Sequence, residues 1–166
     1  MPTLISGSTG VNKITDDAVT AAKLPNGSVI QFARATGSTE TTTTSSTFAN
    51  TNASVTITPL SASSHIYLSH TAGGLINDSL DTGLRITRAI SGGATTPIYT
   101  SVRYVYNNDY GSPTAWIPLN WAVIDVDEAH NTTSAITYTI QIAVSGSEAR
   151  HCDNASWNFV AMEFAQ

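Results

Sequence analysis

Charge is scarce in this chain. Asp, Glu, Lys and Arg make up only 11% of its 166 residues, about half the quarter usual for a globular domain. The seven Lys and Arg stand singly and the net charge is −5. No basic stripe exists to neutralise phosphates, so a nucleic-acid partner is not expected. Cysteine is nearly absent too. Cys152 stands alone, which excludes an intrachain disulfide and any cysteine-based metal cluster. No apolar run approaches the roughly 18 residues of a membrane span, so membrane insertion is not expected. The opening Met1-Pro2-Thr3-Leu4-Ile5-Ser6 has neither the basic region nor the apolar length of a signal peptide. Catalytic signatures are missing as well: there is no Gly-x-Ser-x-Gly, His-Glu-x-x-His or Gly-rich phosphate loop. Carboxylates are too few and scattered to nominate a glycosidase pair. The expectation is a protein without enzymatic activity, metal or cofactor.

What the chain does have is apolar residues and hydroxyls. A hydrophobic share of 41% supports a real core and excludes wholesale disorder. Threonine and serine replace the missing charge. Threonine suits strands, because its β-branch packs on a pleated surface while its hydroxyl keeps an outer face wet. At this length the chain fits one domain, or one domain with a short arm.

Residues 1–26 read as an N-terminal arm. Asp16 to Leu24 could form one or two helical turns, capped by Thr15 or Asp16, with acids at the positive end of the dipole and Lys23 near the negative end. Such a piece is too short to stand alone and needs a partner surface. Pro25 and Gly27 end it. Residues 27–166 read as a β-sandwich. Short apolar runs separated by turn formers predict strands at Ser28–Ala35, Ser54–Pro59, His65–Ala72, Gly83–Ala89, Ile98–Tyr106, Trp116–Asp127, Ile136–Ser145 and Ser156–Phe164. Ser91-Gly92-Gly93, Asn107-Asn108-Asp109 and Ser145-Gly146 supply turn signals between them. The clearest alternation sets Ile136, Tyr138, Ile140, Ile142 and Val144 against Thr137, Thr139, Gln141 and Ala143, one buried face and one solvated. Eight short strands without a convincing helix predict an all-β, jelly-roll-like antiparallel sandwich.

Two strands are apolar on both faces. Along Trp116–Val126, Ile117, Leu119, Trp121 and Val123 oppose Trp116, Pro118, Ala122, Ile124 and Val126. Along the last strand, Trp157 and Phe159 oppose Val160, Met162 and Phe164. A sandwich covers only one face of each strand, so the second must be covered by something else. Trp116, Ala122, Ile124, Val126, Val160, Met162 and Phe164 are therefore the expected oligomer interface, and a homotrimer the expected assembly.

Three clusters could carry chemistry. Asp125-Val126-Asp127-Glu128-Ala129-His130 gathers potential ligands for a hard cation, but lacks the glycine and closing acid of an EF-hand loop. It reads as a solvated turn at a strand end. His151-Cys152-Asp153 invites a nucleophile reading, yet no base or electropositive setting can be placed beside the thiol. The third group is Tyr99, Arg103, Tyr104, Tyr106, Asn107, Asn108, Asp109, Tyr110 and Trp116. Flat aromatic rings beside Asn and Asp suit a sugar surface, and a loop at Asn107–Pro113 would present several of them together; the candidate contacts to a host cell-surface glycan are Tyr104, Tyr106, Asn107, Asn108, Asp109, Tyr110 and Trp116. The alternative is that these are core aromatics plus a polar turn.

Several stretches, in order, resemble a module common in tail-fibre and other virion proteins of tailed bacteriophages, many of them marine or cyanobacterial. Leu24-Pro25-Asn26-Gly27-Ser28-Val29-Ile30-Gln31 is similar to its opening strand. Thr41 to Thr47 matches a Thr/Ser-rich segment, Val55 to Pro59 its "VTITP" strand, and Ser61 to Ile66 its "SASSKI" turn, with His65 where the family usually has lysine. Gly83 to Arg88, Ile136 to Ile142 and Phe159 to Phe164 resemble its later strands, so the likeness spans most of residues 24–166. The resemblance implies a virion structural protein, made in the host cytoplasm, most simply a tail fibre whose arm docks on other virion proteins. A capsid decoration or head-fibre protein is the alternative in the same setting. A carbohydrate-binding module is the alternative from another class.

Overall fold

The computed structural model describes residues 24–105 and 116–166. Eight strands cover them: β1 (Val29–Gly37), β2 (Thr41–Thr43), β3 (Ala49–Ile57), β4 (His65–Ile90), β5 (Thr95–Val105), β6 (Trp116–Asp127), β7 (Ile136–His151) and β8 (Trp157–Phe164). Every pairing is antiparallel, and the described residues include no helix. The all-β class is as expected. The strand order describes a curled sheet and does not by itself spell out the wiring of a jelly roll.

One long strand organises the molecule. β4 runs for 26 residues and changes partners along its length. Its first part, His65–Ala72, pairs with β8, which in turn pairs with β1; on its other side Ile66–Asn77 pairs with β6. Its second part pairs with β7 from Gly74 onward and with β5 over Thr82–Ala89, while β3 lies outside β7. The result is two half-sheets, β1-β8-β4-β6 and β3-β7-β4-β5, joined through β4. They face each other across a single core: the Tyr138 hydroxyl of β7 donates to Asp127 of β6 at 2.8 Å, although those strands share no ladder.

The core follows from period-2 alternation. Ile66, Leu68 and Ala72 of β4, Trp121 and Val123 of β6, and Phe159 and Ala161 of β8 fill it from one half-sheet. Leu84, Ile86, Ile136, Tyr138, Ile140 and Ile142 fill it from the other. The expected alternation in β7 is present through Ile142, with Thr137, Thr139 and Gln141 turned outward. Ala143, expected on the solvated face, is instead buried, and its ladder partner Gly83 has the Phe48 ring over it.

Several strand limits differ from those expected, for identifiable reasons. His65–Ala72 and Gly83–Ala89 are one strand, not two. Gly73 and Gly74 lie inside the strand, where neighbours come close. A Cβ on Gly74 would collide with the Arg150 carbonyl and the Trp121 indole, and one on Gly73 would come within 2.9 Å of Ala155. Strand glycines of this kind mark close approach, not a turn. Ser145-Gly146 is also not a turn, since β7 continues to His151. β3 begins at Ala49, five residues before the expected Ser54, through an irregularity between Asn50 and Ser54 where Thr51 donates to the Ile140 carbonyl at 2.9 Å.

The start of the sandwich is fixed by a turn. Ser28 N–H donates to the Pro25 carbonyl at 3.1 Å, with Gly27 at φ +84°, the left-handed position that a type II turn reserves for glycine. Gly27 N–H then reaches the Ala165 carbonyl at 2.8 Å, tying the beginning of β1 to the end of the chain. Residues 1–23 of the expected arm lie outside the described residues.

Candidate functional site: the outer face of the first half-sheet

Strand register places the expected interface residues side by side. Across β1, β8, β4 and β6, Phe32, Met162, Tyr67 and Val126 form one row, and Arg34, Val160, Ser69 and Ile124 the next. Val29, Phe164 and His65 continue the face at one end; Thr36, Asn158, Thr71 and Ala122 close it at the other. These side chains alternate with the buried ones, so all point away from the core. Four of its apolar members are open to solvent, Ile124 at 63% exposed, Phe32 58%, Val29 52% and Val126 42%, while Tyr67, Val160, Met162 and Phe164 are half-buried. Tyr67 and Phe164 meet edge to face, with ring centres 6.4 Å apart. Scattered exposed apolar residues are ordinary; a contiguous apolar field across four strands is not.

Of the seven expected interface residues, Ala122, Ile124, Val126, Val160, Met162 and Phe164 are on this face. Trp116 begins β6 opposite Asn77, and its side chain is not among those described. Phe32, Val29 and Tyr67 were not anticipated. The available signal was in β1, where Gln31, Ala33, Ala35 and Gly37 face inward and Phe32 outward. Small residues alternating with large ones there mean that the large side chain is on the outside.

Most residues of the expected glycan surface cannot be placed on the fold. Tyr106, Asn107, Asn108, Asp109 and Tyr110 lie outside the described residues. Tyr104 is on β5 and Trp116 opens β6; Val105 pairs with Thr82 and Trp116 with Asn77. Tyr99 packs half-buried against the core.

The acidic cluster at the end of β6 is solvated only in part: Val126, Glu128 and Ala129 are exposed, whereas Asp127 and His130 are buried. Asp127 is 4% exposed and accepts from Arg88 Nη1 at 2.7 and 2.9 Å, Tyr138 Oη at 2.8 Å and the Ala129 amide at 3.1 Å. A buried carboxylate needs such partners to repay its lost hydration. Burial, and then the Asp127 charge, push the Tyr138 phenol well above its usual range, so it remains a donor. His130 is also buried, donating from Nε2 to the Ser64 carbonyl at 2.7 Å. Among the described residues no group of three or more His, Cys, Asp or Glu could hold a metal ion. Cys152 is buried, and burial raises its thiol pKa, the opposite of what a nucleophile needs.

Two polar constellations escaped the sequence reading. Glu163 is fully buried on β8. It accepts from the Leu60 amide at 2.9 Å, the Ser61 amide at 3.0 Å and the Ser64 hydroxyl at 2.6 Å. The Gln31 amide, oriented to satisfy both acceptors, donates to Glu163 at 3.0 Å and to the Thr58 carbonyl at 2.9 Å. One carboxylate thereby gathers the stretches Gly27–Gln31, Val55–Pro59, Ser61–Ile66 and Phe159–Phe164, which were read as separate pieces of one motif. The second constellation pairs His70 with His151 in the core, Nε2 to Nε2 at 3.0 Å.

No known family model matches the chain, and no curated protein matches it either.

Proposed function

We propose that this chain is a non-enzymatic virion structural protein of a tailed bacteriophage, a tail fibre or similar appendage that works as a homotrimer. The observation that carries the reading is the apolar outer face of β1-β8-β4-β6. A face of that size in water favours association, at roughly 25 cal/mol per Å² of apolar surface covered. Copies of the same chain are its occupants: it spans whole strands on a rigid sheet and carries little charge to specify a different partner. Around a threefold axis each chain would present one edge of the face to a neighbour and the other edge to the next. The tailed-phage setting is supported by the ordered likeness of residues 24–166, and Glu163 supplies a physical reason for those pieces to occur together.

The test is the mass of the purified full chain by light scattering at micromolar concentration. Three chains are expected. A clean monomer removes the assembly reading and leaves the virion reading resting on resemblance alone.

A further inference from the structure

His70 and His151 are 1% and 0% exposed. Their Nε2 atoms are 3.0 Å apart while the ring centres stand 5.2 Å apart, with planes only 17° from parallel. The nitrogens are thus the closest points of the rings, which meet nose to nose. Among the described residues neither Nδ1 has a hydrogen-bond partner of good geometry, although the Asn158 backbone acts on the His70 ring. Two neutral imidazoles carry one ring proton each. One ring must hold its proton on Nε2 to donate, and the other must then hold its own on Nδ1 and accept at Nε2.

This arrangement has limited room for further protons. One added proton fills the remaining Nδ1 and puts a positive charge in the core. A second leaves N–H facing N–H across 3.0 Å, with two like charges and no hydrogen bond. The rings must then part.

Their position gives the parting a structural consequence. His70 lies on the part of β4 that pairs with β8, in register with Phe159 and Val123. His151 ends β7, in register with Gly74 of β4 and Thr41 of β2. The pair therefore spans the seam where β4 exchanges β8 for β7. We propose that the His70–His151 pair is an acid-sensitive latch: one shared proton holds the end of β7 and β2 to β4, and proton uptake by both rings releases them.

Among the described residues the surroundings offer no compensating charge. From β8, Phe159 meets the His70 ring edge-on, with centres 5.4 Å apart; from β6 stand Val123 and Trp121, both buried. Glu163 of β8 is committed to the 60–64 loop, and Asp127 of β6 to Arg88 and Tyr138. Asp125 of β6 is in register with Leu68. Beside His151 in sequence, the Arg150 guanidinium is bound by Glu148 at 2.6 Å and Asp153 at 3.3 Å, with Glu40 at 4.0 Å. The Cys152 thiol points to the Ala155 carbonyl at 3.0 Å. Burial, and then His151, hold His70 down at about 3, with contact to the Asn158 backbone working the other way; burial holds His151 at about 4. Both lie below the 6.5 of a free imidazole. Between these values the unfolded chain binds protons that the folded chain refuses. The contribution of the pair to stability is complete above pH 6.5 and is lost as pH falls toward 4 and then 3.

The experiment compares thermal midpoints of the full chain at about pH 7 and about pH 4.5 with those of the double variant His70→Phe/His151→Leu. Amide hydrogen exchange of the unmodified protein is followed over the same range. The unmodified midpoint is expected to fall by about 10 °C, and the variant by less than half as much, since carboxylates such as Asp127 and Glu163 titrate in both. Exchange should rise first at Thr41–Thr43 and Glu148–His151 while Ile136–Ile142 stays protected. Equal falls in the two proteins overturn the latch. So does loss of protection in all strands together, which decides the matter if the variant fails to fold.

Discussion

The two half-sheets have outer faces of opposite character. Outside β3-β7-β4-β5 the rows read Thr56, Thr137, Ala89, Thr95; then Ser54, Thr139, Thr87, Pro97; then Asn50, Gln141, Arg85, Thr100. These side chains satisfy one another: Thr56 and Thr137 hydroxyls are 2.9 Å apart, Gln141 donates to Asn50 at 2.8 Å, and Arg85 donates to Thr100 at 3.2 Å. Outside β1-β8-β4-β6 the corresponding rows hold Phe32, Met162, Tyr67 and Val126, then Val160 and Ile124. Both faces belong to one sheet of one chain, so composition in general does not explain the difference. The hydroxyl-rich face pairs its own polar groups across the strands. The apolar face has no such pairing along its central row, and under the proposed function a second copy of the chain covers it.

Substitutions can break this contrast in descending order of effect. Asp127→Ala should remove both faces at once, because it leaves Arg88 and Tyr138 without their buried acceptor. A loss of about 3–5 kcal/mol in urea unfolding is expected, and association should disappear only because the fold does. Ile124→Lys acts on one face: association should weaken by at least about 100-fold, on the order of 3 kcal/mol, by placing an unpaired charge in an apolar contact. The circular dichroism of the dissociated chain should be unchanged. Phe32→Ala, on the same face, should cost association about 1–3 kcal/mol, read from sedimentation at several concentrations. Thr137→Val touches the other face, and losing its bond to Thr56 should lower stability by no more than about 1 kcal/mol without changing the assembled mass. An assembly as sensitive to Thr137 as to Phe32 would abolish the distinction between the faces.

Much of this contrast was legible in the sequence, because period-2 alternation reports which side of a strand is apolar. The two-faced pattern of Trp116–Val126 and Val160–Phe164 found most of the apolar field, and Ile136–Val144 gave both the core and the wet side of β7. Other features need knowledge of what crosses over a residue. Nothing local marks Gly74 as a point of close approach until Trp121 and Arg150 are placed above it. Asp127 and His130 look solvated until Arg88, Tyr138 and Ser64 arrive from distant strands. The His70–His151 contact joins residues 81 apart in sequence, beyond any local pattern. Glu163 carried a motif signal, but its meaning depends on loop amides that only the fold brings to it.

The most direct test of the central claim is sedimentation equilibrium on two matched variants, Ile124→Lys and Thr139→Lys, beside the unmodified chain. Each adds one lysine to an outward position, one on the apolar face and one on the hydroxyl face. The account predicts that the unmodified chain and Thr139→Lys sediment as the same trimer, while Ile124→Lys sediments as a folded monomer. A trimer that survives Ile124→Lys and is lost with Thr139→Lys would contradict it.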